Sequence, residues 1–432
     1  MLSDRKLYFK LTGIGLLTSS VLLMGYYVPR ENFTLEMGSF ALGWAGLWFF
    51  TKENKEGSFF LGLFLRISLF ISIPILSDDY FRFLWDGYLT TEGINPFDFK
   101  PNELDSTLTN NHFTKKLFDG MNSSNYFSIY PPVNQWVFYL AALTKSTFGG
   151  VLVLRSVIIG FEIGTYFIMK NICDRYNINN NKLSWFWLNP LVIIELTGNL
   201  HAEGILLFFL LSGLFSLSKL QDFKGGLLLS LSFCSKLFSL MFLPILLLKA
   251  GKYRYLKLIL GIIPLFLISF SPFLNLSNAD HYIESLILYF KSFEFNGSIF
   301  NVVRWIGFQL KGFDVIYTAG PILSLISGII ILFVSWKYRF KNRKVIFTGL
   351  TLIISTYLFL SPIVHTWYII IPLALGLFTN LRFPLIWSGF VFLSYSYYDT
   401  SLPVVFKHSM LFLEYLTVFL FVFLDLKNLF KK

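Results

Sequence analysis

Residues 77–97 read Ser-Asp-Asp-Tyr-Phe-Arg-Phe-Leu-Trp-Asp-Gly-Tyr-Leu-Thr-Thr-Glu-Gly-Ile-Asn-Pro-Phe. Asp78 and Asp79 form an adjacent acidic pair, and Asp79, Arg82 and Asp86 recur at i, i+3 and i+7. That spacing places the three on one face of a helix. Phe81, Leu84, Trp85 and Tyr88 cover the opposite side. Such a helix is expected to lie along a membrane surface, aromatic side down. Gly93 ends it and Asn95-Pro96 turns the chain. Carboxylates at a membrane–water boundary cost little, so a solvated helix end would explain the pair alone. The pair, the in-phase arginine and the surface helix together favour a binding or catalytic site.

Other polar residues interrupt apolar stretches. His201 and Glu203, in Asn199-Leu200-His201-Ala202-Glu203-Gly204, stand at i, i+2 and cannot share a helix face. Lys236 breaks the run 225–250, and a lysine at bilayer depth should face a polar cavity or an anion. Two short helices meeting at Ser235-Lys236 are expected there. His365, Trp367 and Tyr368 sit in Ser361-Pro362-Ile363-Val364-His365-Thr366-Trp367-Tyr368, between two apolar segments. Phe295-Asn296-Gly297-Ser298 reads as a turn carrying amides and hydroxyls. Intramembrane acids are functional suspects. Glu195 stands one turn before Asn199, and Glu162 has Arg155 at i−7 as an expected structural partner.

The elements that must hold these residues follow from composition. The chain has 432 residues, 55% hydrophobic and 14% charged, with mean hydropathy +0.61. Soluble domains are about 25% charged, so a soluble enzyme, a disulfide scaffold and a disordered chain are excluded. Cys173 and Cys234 lack metal-ligand spacing and read as inert apolar residues. The net charge of +11 is scattered between apolar runs, which points to a membrane and away from nucleic acid.

Fourteen apolar windows, from 7–28 to 407–427, predict an all-α polytopic membrane protein of about 11–14 transmembrane helices. The first run is read as a retained anchor. With the N-terminus inside, alternation puts most of the 36 Lys and Arg on the inner side, including the loops at 249–257 and 337–344. Two long polar stretches, 78–149 and 275–314, then fall outside, with a second surface helix expected near 133–146. No linker divides the chain, so 1–432 reads as one membrane domain. The charge pattern and cysteine-poor composition fit a bacterial inner membrane with the polar loops facing the periplasm.

Asp78-Asp79-Tyr80, Arg82, Trp85-Asp86-Gly87, Gly93-Ile94-Asn95-Pro96-Phe97 and Tyr130-Pro131-Pro132 resemble the first-loop pattern of GT-C glycosyltransferases. The chain is most similar to bacterial polyprenol-phosphate-mannose-dependent mannosyltransferases. It also resembles the Asp-x-Asp-Tyr loop of the enzyme adding the first mannose of GPI anchors, with Ser77 replacing the first Asp. The resemblance implies a GT-C-like bundle and a polyprenyl-phosphate sugar donor. The acceptor would be the hydroxyl of a glycan, lipid or protein. Asp79 matches the catalytic base, with Asp78 beside it. Arg82 and Asp86 lie in the same motif. His201 and Glu203 fall at a family turn that contacts sugar or acceptor. Lys236, His365 and Tyr368 would hold the donor phosphate, and Asn296 would touch a sugar. A carboxylate in hydrogen-bond reach can take the acceptor proton, and a single displacement inverts the anomeric carbon. No cofactor is firmly implied; a divalent cation on the acidic pair is the competing reading. A transporter or flippase for a lipid-linked sugar is the alternative function, but no matching inverted halves are evident. A non-catalytic scaffold would not need acids, lysine and histidine gathered at one face.

Overall fold

The computed structural model describes residues 2–53, 57–104, 108, 111–251, 253–339 and 345–430. Lys341, Arg343 and Lys344, in one of the expected inner loops, lie outside the described residues, as does Lys252 in the other. Among the described residues the fold is all helical; the only pairing of extended backbone is an isolated bridge between Phe295-Asn296 and Ile363. The chain is a polytopic membrane protein. Arg5–Tyr26, Thr147–Tyr176, Ile316–Tyr338 and Val404–Leu429 are each long and apolar enough to cross a bilayer, with a fifth if Pro190–Gly198 and Glu203–Ser218 count as one broken span. Other apolar windows form shorter helices, such as Ser58–Ser68, Ile346–Leu360 and Thr366–Gly376. Irregular backbone at membrane depth is tolerated where protein covers it.

The chain gathers into two compact units. One comprises Met1–Ser77, Ile158–His201 and Thr366–Lys432; the other comprises Asp78–Val157 and Ala202–His365. In the first, Leu2–Tyr26 lies against Phe33–Glu53 at backbone contact. A Cβ on Gly13 would meet the Phe50 nitrogen at 2.6 Å, and one on Gly46 would meet the Leu17 nitrogen at 2.6 Å. Small residues allow this approach where lipid offers no hydrophobic drive between helices. The same unit buries an ion pair. Arg66 Nη2 lies 2.7 Å from Glu162 Oε1, and both side chains are sealed from solvent. Arg66 Nη1 also donates to the carbonyls of Gly62 and Trp187, and the guanidinium stacks 3.6 Å from the Trp187 ring. The cation on Glu162 therefore comes from Ser58–Ser68, not from the in-phase Arg155 alone that sequence periodicity offered.

In the second unit the helix expected from the acidic motif forms over Asp79–Thr91. Gly93 takes φ +74°, and Ile94 N donates to Leu89 O at 2.9 Å, which closes the helix end. The second expected helix forms over Pro132–Ala142, with Pro132 at its first turn. The Phe83 and Phe138 rings stack at 4.6 Å and 5°. Gly87 makes the approach feasible: a Cβ there would lie 2.1 Å from the Phe138 carbonyl oxygen. Gly87→Ala is expected to cost about 1–3 kcal/mol through overpacking. Thermal unfolding of the purified protein in detergent checks this, and an unchanged melting temperature would mean that the two helices do not approach so closely.

The break expected near Lys236 is also present. Asp222–Phe233 ends, Lys236 is extended at φ −158°, ψ 119°, and a tight 3₁₀ turn, Leu237–Phe242, leads into Leu243–Ala250. The two polar stretches are tied together: Asn95 Nδ2 donates to Phe273 O at 2.6 Å, and Asn278 Nδ2 donates to Asp98 Oδ1 at 2.7 Å. Phe97, Phe270, Phe273, Tyr282 and Cys234 pack beneath them.

Candidate active site

Asp79 is the first residue of its helix and Asp78 the residue before it. Backbone N–H groups at a helix N-terminus favour negative charge there. Next to them, burial and then the Asp78 charge push the Tyr80 phenol above its usual range, so Tyr80 is a neutral hydrogen-bonding group.

Arg82 and Asp86 are not on a solvated face as the spacing suggested. Both are buried. Arg82 Nε donates to Asp86 Oδ1 at 2.7 Å, while its Nη1 donates to the carbonyls of Ser123 and Tyr126 at 2.9 Å each. Asp86 Oδ2 accepts from Ser128 Oγ at 2.5 Å and Gln135 Nε2 at 3.3 Å. Gln135 Nε2 also reaches Tyr130 O at 3.2 Å. A desolvated carboxylate persists only when paired and hydrogen-bonded, and this network supplies both. It fixes the acidic helix against the Tyr130-Pro131-Pro132 turn, whose Tyr130 ring packs edge-on to Phe83 at 5.0 Å.

That turn in turn grips the break at Lys236. Val133 N donates to Cys234 O at 3.0 Å, and Asn134 Nδ2 donates to Ser235 O at 2.8 Å. Lys236 Nζ donates to Glu203 Oε1. Glu203 is only 1% exposed, whereas the lysine side chain is 29% exposed. Phe238 lies 5.5 Å from the ammonium and stacks on Tyr357. The same unit joins Asn296 to the His365 turn. Phe295 N donates to Pro362 O at 3.0 Å, Val364 N to Phe295 O at 2.7 Å, and the Phe295 and His365 rings stack at 5.1 Å. Asn296 takes φ +53° in this turn, a left-handed geometry that asparagine tolerates better than most residues.

In the other unit, His201 follows a π-helical turn, Ile193–Gly198, and Leu200 in the left-handed region at φ +66°. Glu195 organises the turn. Its Oε1 accepts from Thr366 Oγ1 at 2.5 Å and Tyr395 OH at 2.9 Å, and its Oε2 accepts from Asn199 Nδ2 at 3.0 Å. His201 Nε2 lies 3.4 Å from the same Oε2, and its ring stacks on Trp367 at 3.6 Å and 18°. Tyr368 packs edge-on to Trp367 at 6.0 Å. Thr197, inside the π turn, donates to Glu162 Oε2 at 2.5 Å, which links it to the Arg66 pair. Sequence reasoning singled out His201 but missed Thr366, Tyr395, Ser128 and Gln135, which are ordinary polar residues with no local pattern. Among the described residues no three His, Cys, Asp or Glu side chains gather as a metal site.

A helical membrane protein with paired carboxylates at a helix start, tied by hydrogen bonds to a lysine-bearing break, has the parts of a membrane glycosyltransferase. The chain belongs to the family described as alpha-(1->6)-mannopyranosyltransferase, N-terminal domain, whose model matches residues 11–251, more than half of its length. The match takes in the acidic helix, the Tyr130-Pro131-Pro132 turn, His201, Glu203 and Lys236; Asn296, His365 and Tyr368 lie beyond it. No curated relative matches the chain. The family's activity is mannosyl transfer, and the chain is a multi-pass membrane mannosyltransferase.

Proposed function

We propose that the protein moves mannose from a polyprenyl-phosphate donor to an acceptor hydroxyl at the outer membrane face, in one inverting displacement. Asp79 takes the acceptor proton as the acceptor oxygen attacks the anomeric carbon. The bond from that carbon to the phosphate oxygen breaks, and polyprenyl phosphate leaves. An alpha-linked product formed by one inversion requires a beta-configured donor. Lys236 and His365 hold the phosphate, where positive charge set in advance stabilises the charge that grows on the leaving group. Asn296, beside His365, contacts the sugar. Arg82 and Asp86 hold the acidic helix in place, and Asp78 is secondary to Asp79. The His201–Trp367 stack offers a flat face of the kind a sugar ring lies on, with Tyr368 at its edge. The observation that carries this reading is the pair of hydrogen bonds from Val133 and Asn134 to Cys234 and Ser235, which fasten the acidic first loop to the lysine break.

The decisive experiment offers purified protein in lipid a panel of beta-configured polyprenyl-phosphate sugars with glycan acceptors. Transfer of mannose with release of polyprenyl phosphate is expected. Movement of intact donor across the bilayer without sugar release would instead identify a flippase. Orientation has its own check. Single cysteines replacing Asp79 and Lys257, in a protein lacking Cys173 and Cys234, should label from opposite sides of a sealed bacterial inner membrane, position 79 from the periplasm. Labelling of both from one side would sink the outer-face assignment.

A further inference from the structure

Lys236 is already engaged. Its ammonium donates to Glu203, whose carboxylate is almost fully enclosed while the lysine keeps a part-exposed flank. A buried carboxylate beside an anion-holding lysine weakens that lysine's grip on any anion, and the loss grows with the anion's charge. The proposed reaction changes that charge: the donor is a phosphodiester of about −1, and the leaving lipid phosphate is a monoester of about −1.5 to −2 near neutral pH. We infer that Glu203 is a specificity-determining counter-ion, set beside Lys236 to favour the diester donor over the monoester product and so to expel the product after each transfer. The inference rests on the proposed lipid-phosphate donor and deepens it.

The geometry supports this assignment over a purely structural pair. A pair kept only for stability gains most when both partners are enclosed and share their remaining hydrogen bonds. Here one side of the lysine stays open, and Phe238 packs against the other. The ammonium has three donors, so it can keep Glu203 while meeting a phosphate. The carboxylate then remains close to the bound anion and repels the more highly charged one more strongly.

The test measures binding of three short-chain probes to the purified full-length protein: farnesyl phosphate, its beta-mannosyl diester and farnesol. Glu203→Gln keeps the shape and a hydrogen-bond acceptor for Lys236 but removes the charge. It should tighten farnesyl phosphate about tenfold and the diester about threefold, with farnesol unchanged, as expected for a like charge removed from beside each anion. Transfer by the variant should also become more sensitive to added farnesyl phosphate. Equal tightening of both anions, no tightening, or weaker binding would overturn the inference. Glu203→Asp, which retains the charge but shortens its reach, should tighten the monoester by less than the Gln variant; it also carries the test if Gln fails to purify, with unchanged or weaker monoester binding overturning the idea. Lys236→Gln separates the two levels of the argument. Undiminished farnesyl phosphate binding by that variant would remove Lys236 from the phosphate site and with it the donor assignment. Loss of binding in Lys236→Gln without selective tightening in Glu203→Gln would remove only the role of Glu203.

Discussion

Asp79→Asn is expected to give a folded protein that still binds donor and loses at least about 100-fold in mannosyl transfer, the lower end of what a positioned general base supplies. Asparagine keeps the side chain's size but cannot accept the acceptor's proton. Asp79 stands at the first position of a helix whose placement is fixed elsewhere, by Arg82, Asp86, Ser128 and Gln135. The substitution therefore leaves the scaffold untouched. Asp78→Asn should lose less, because Asp78 precedes the helix. A cation held by the pair would make both variants fail alike, and chelation would then silence the unaltered protein. Transfer rates, with circular dichroism and donor binding as controls, decide the matter. Near-normal transfer by a folded Asp79→Asn protein would eliminate the base.

The second large effect is on stability. Arg66→Ala leaves Glu162 enclosed without its cation and should cost about 3–5 kcal/mol, the usual penalty for breaking a buried ion pair. Arg66 also donates to Gly62 and Trp187, and Thr197 shares the Glu162 carboxylate. The damage should therefore reach the π turn that leads to His201. Arg66→Met combined with Glu162→Gln removes both charges and should recover much of the loss, because a buried pair exchanged for neutral side chains of similar volume is often tolerated. Melting temperatures in detergent measure the difference. A melting temperature for Arg66→Ala equal to that of the unaltered protein would mean that the pair is not a structural pin.

Local pattern made some of this architecture legible. The spacing of Asp79, Arg82 and Asp86 marked a helix, Gly93 marked its end, and the interruption at Lys236 marked a break; each depends on neighbours a few residues away. What the helix's polar face meets was not legible. Its partners, Ser128 and Gln135, stand 42 and 49 residues from Asp86, and periodicity carries no information at that range. Glu162 shows the same limit: its helical phase pointed to Arg155, whereas Arg66 comes from 96 residues away. Glu195 drew notice as an acid within an apolar run. Its partners Thr366 and Tyr395, 171 and 200 residues distant, gave no signal of their own. The number of full-length spans was hard to read because apolar runs broken by proline, 3₁₀ and π turns look like continuous membrane helices in hydropathy alone.

The turn at Ile193–Gly198 has a consequence for how this chain compares with others. A π-helical segment holds one residue more than an α-helix of the same path. Asn199 N accordingly reaches back five residues, to Ile194 O at 2.8 Å. Removing one residue from 193–198 would let the helix run on regularly and would rotate everything after it by about 100°. Leu200 would lose its reason to adopt a left-handed backbone, and the His201 ring would turn off Trp367. A homologue one residue shorter here should therefore be aligned with a gap inside the helix rather than in the loop after it, and its histidine should not be assumed to occupy the same place.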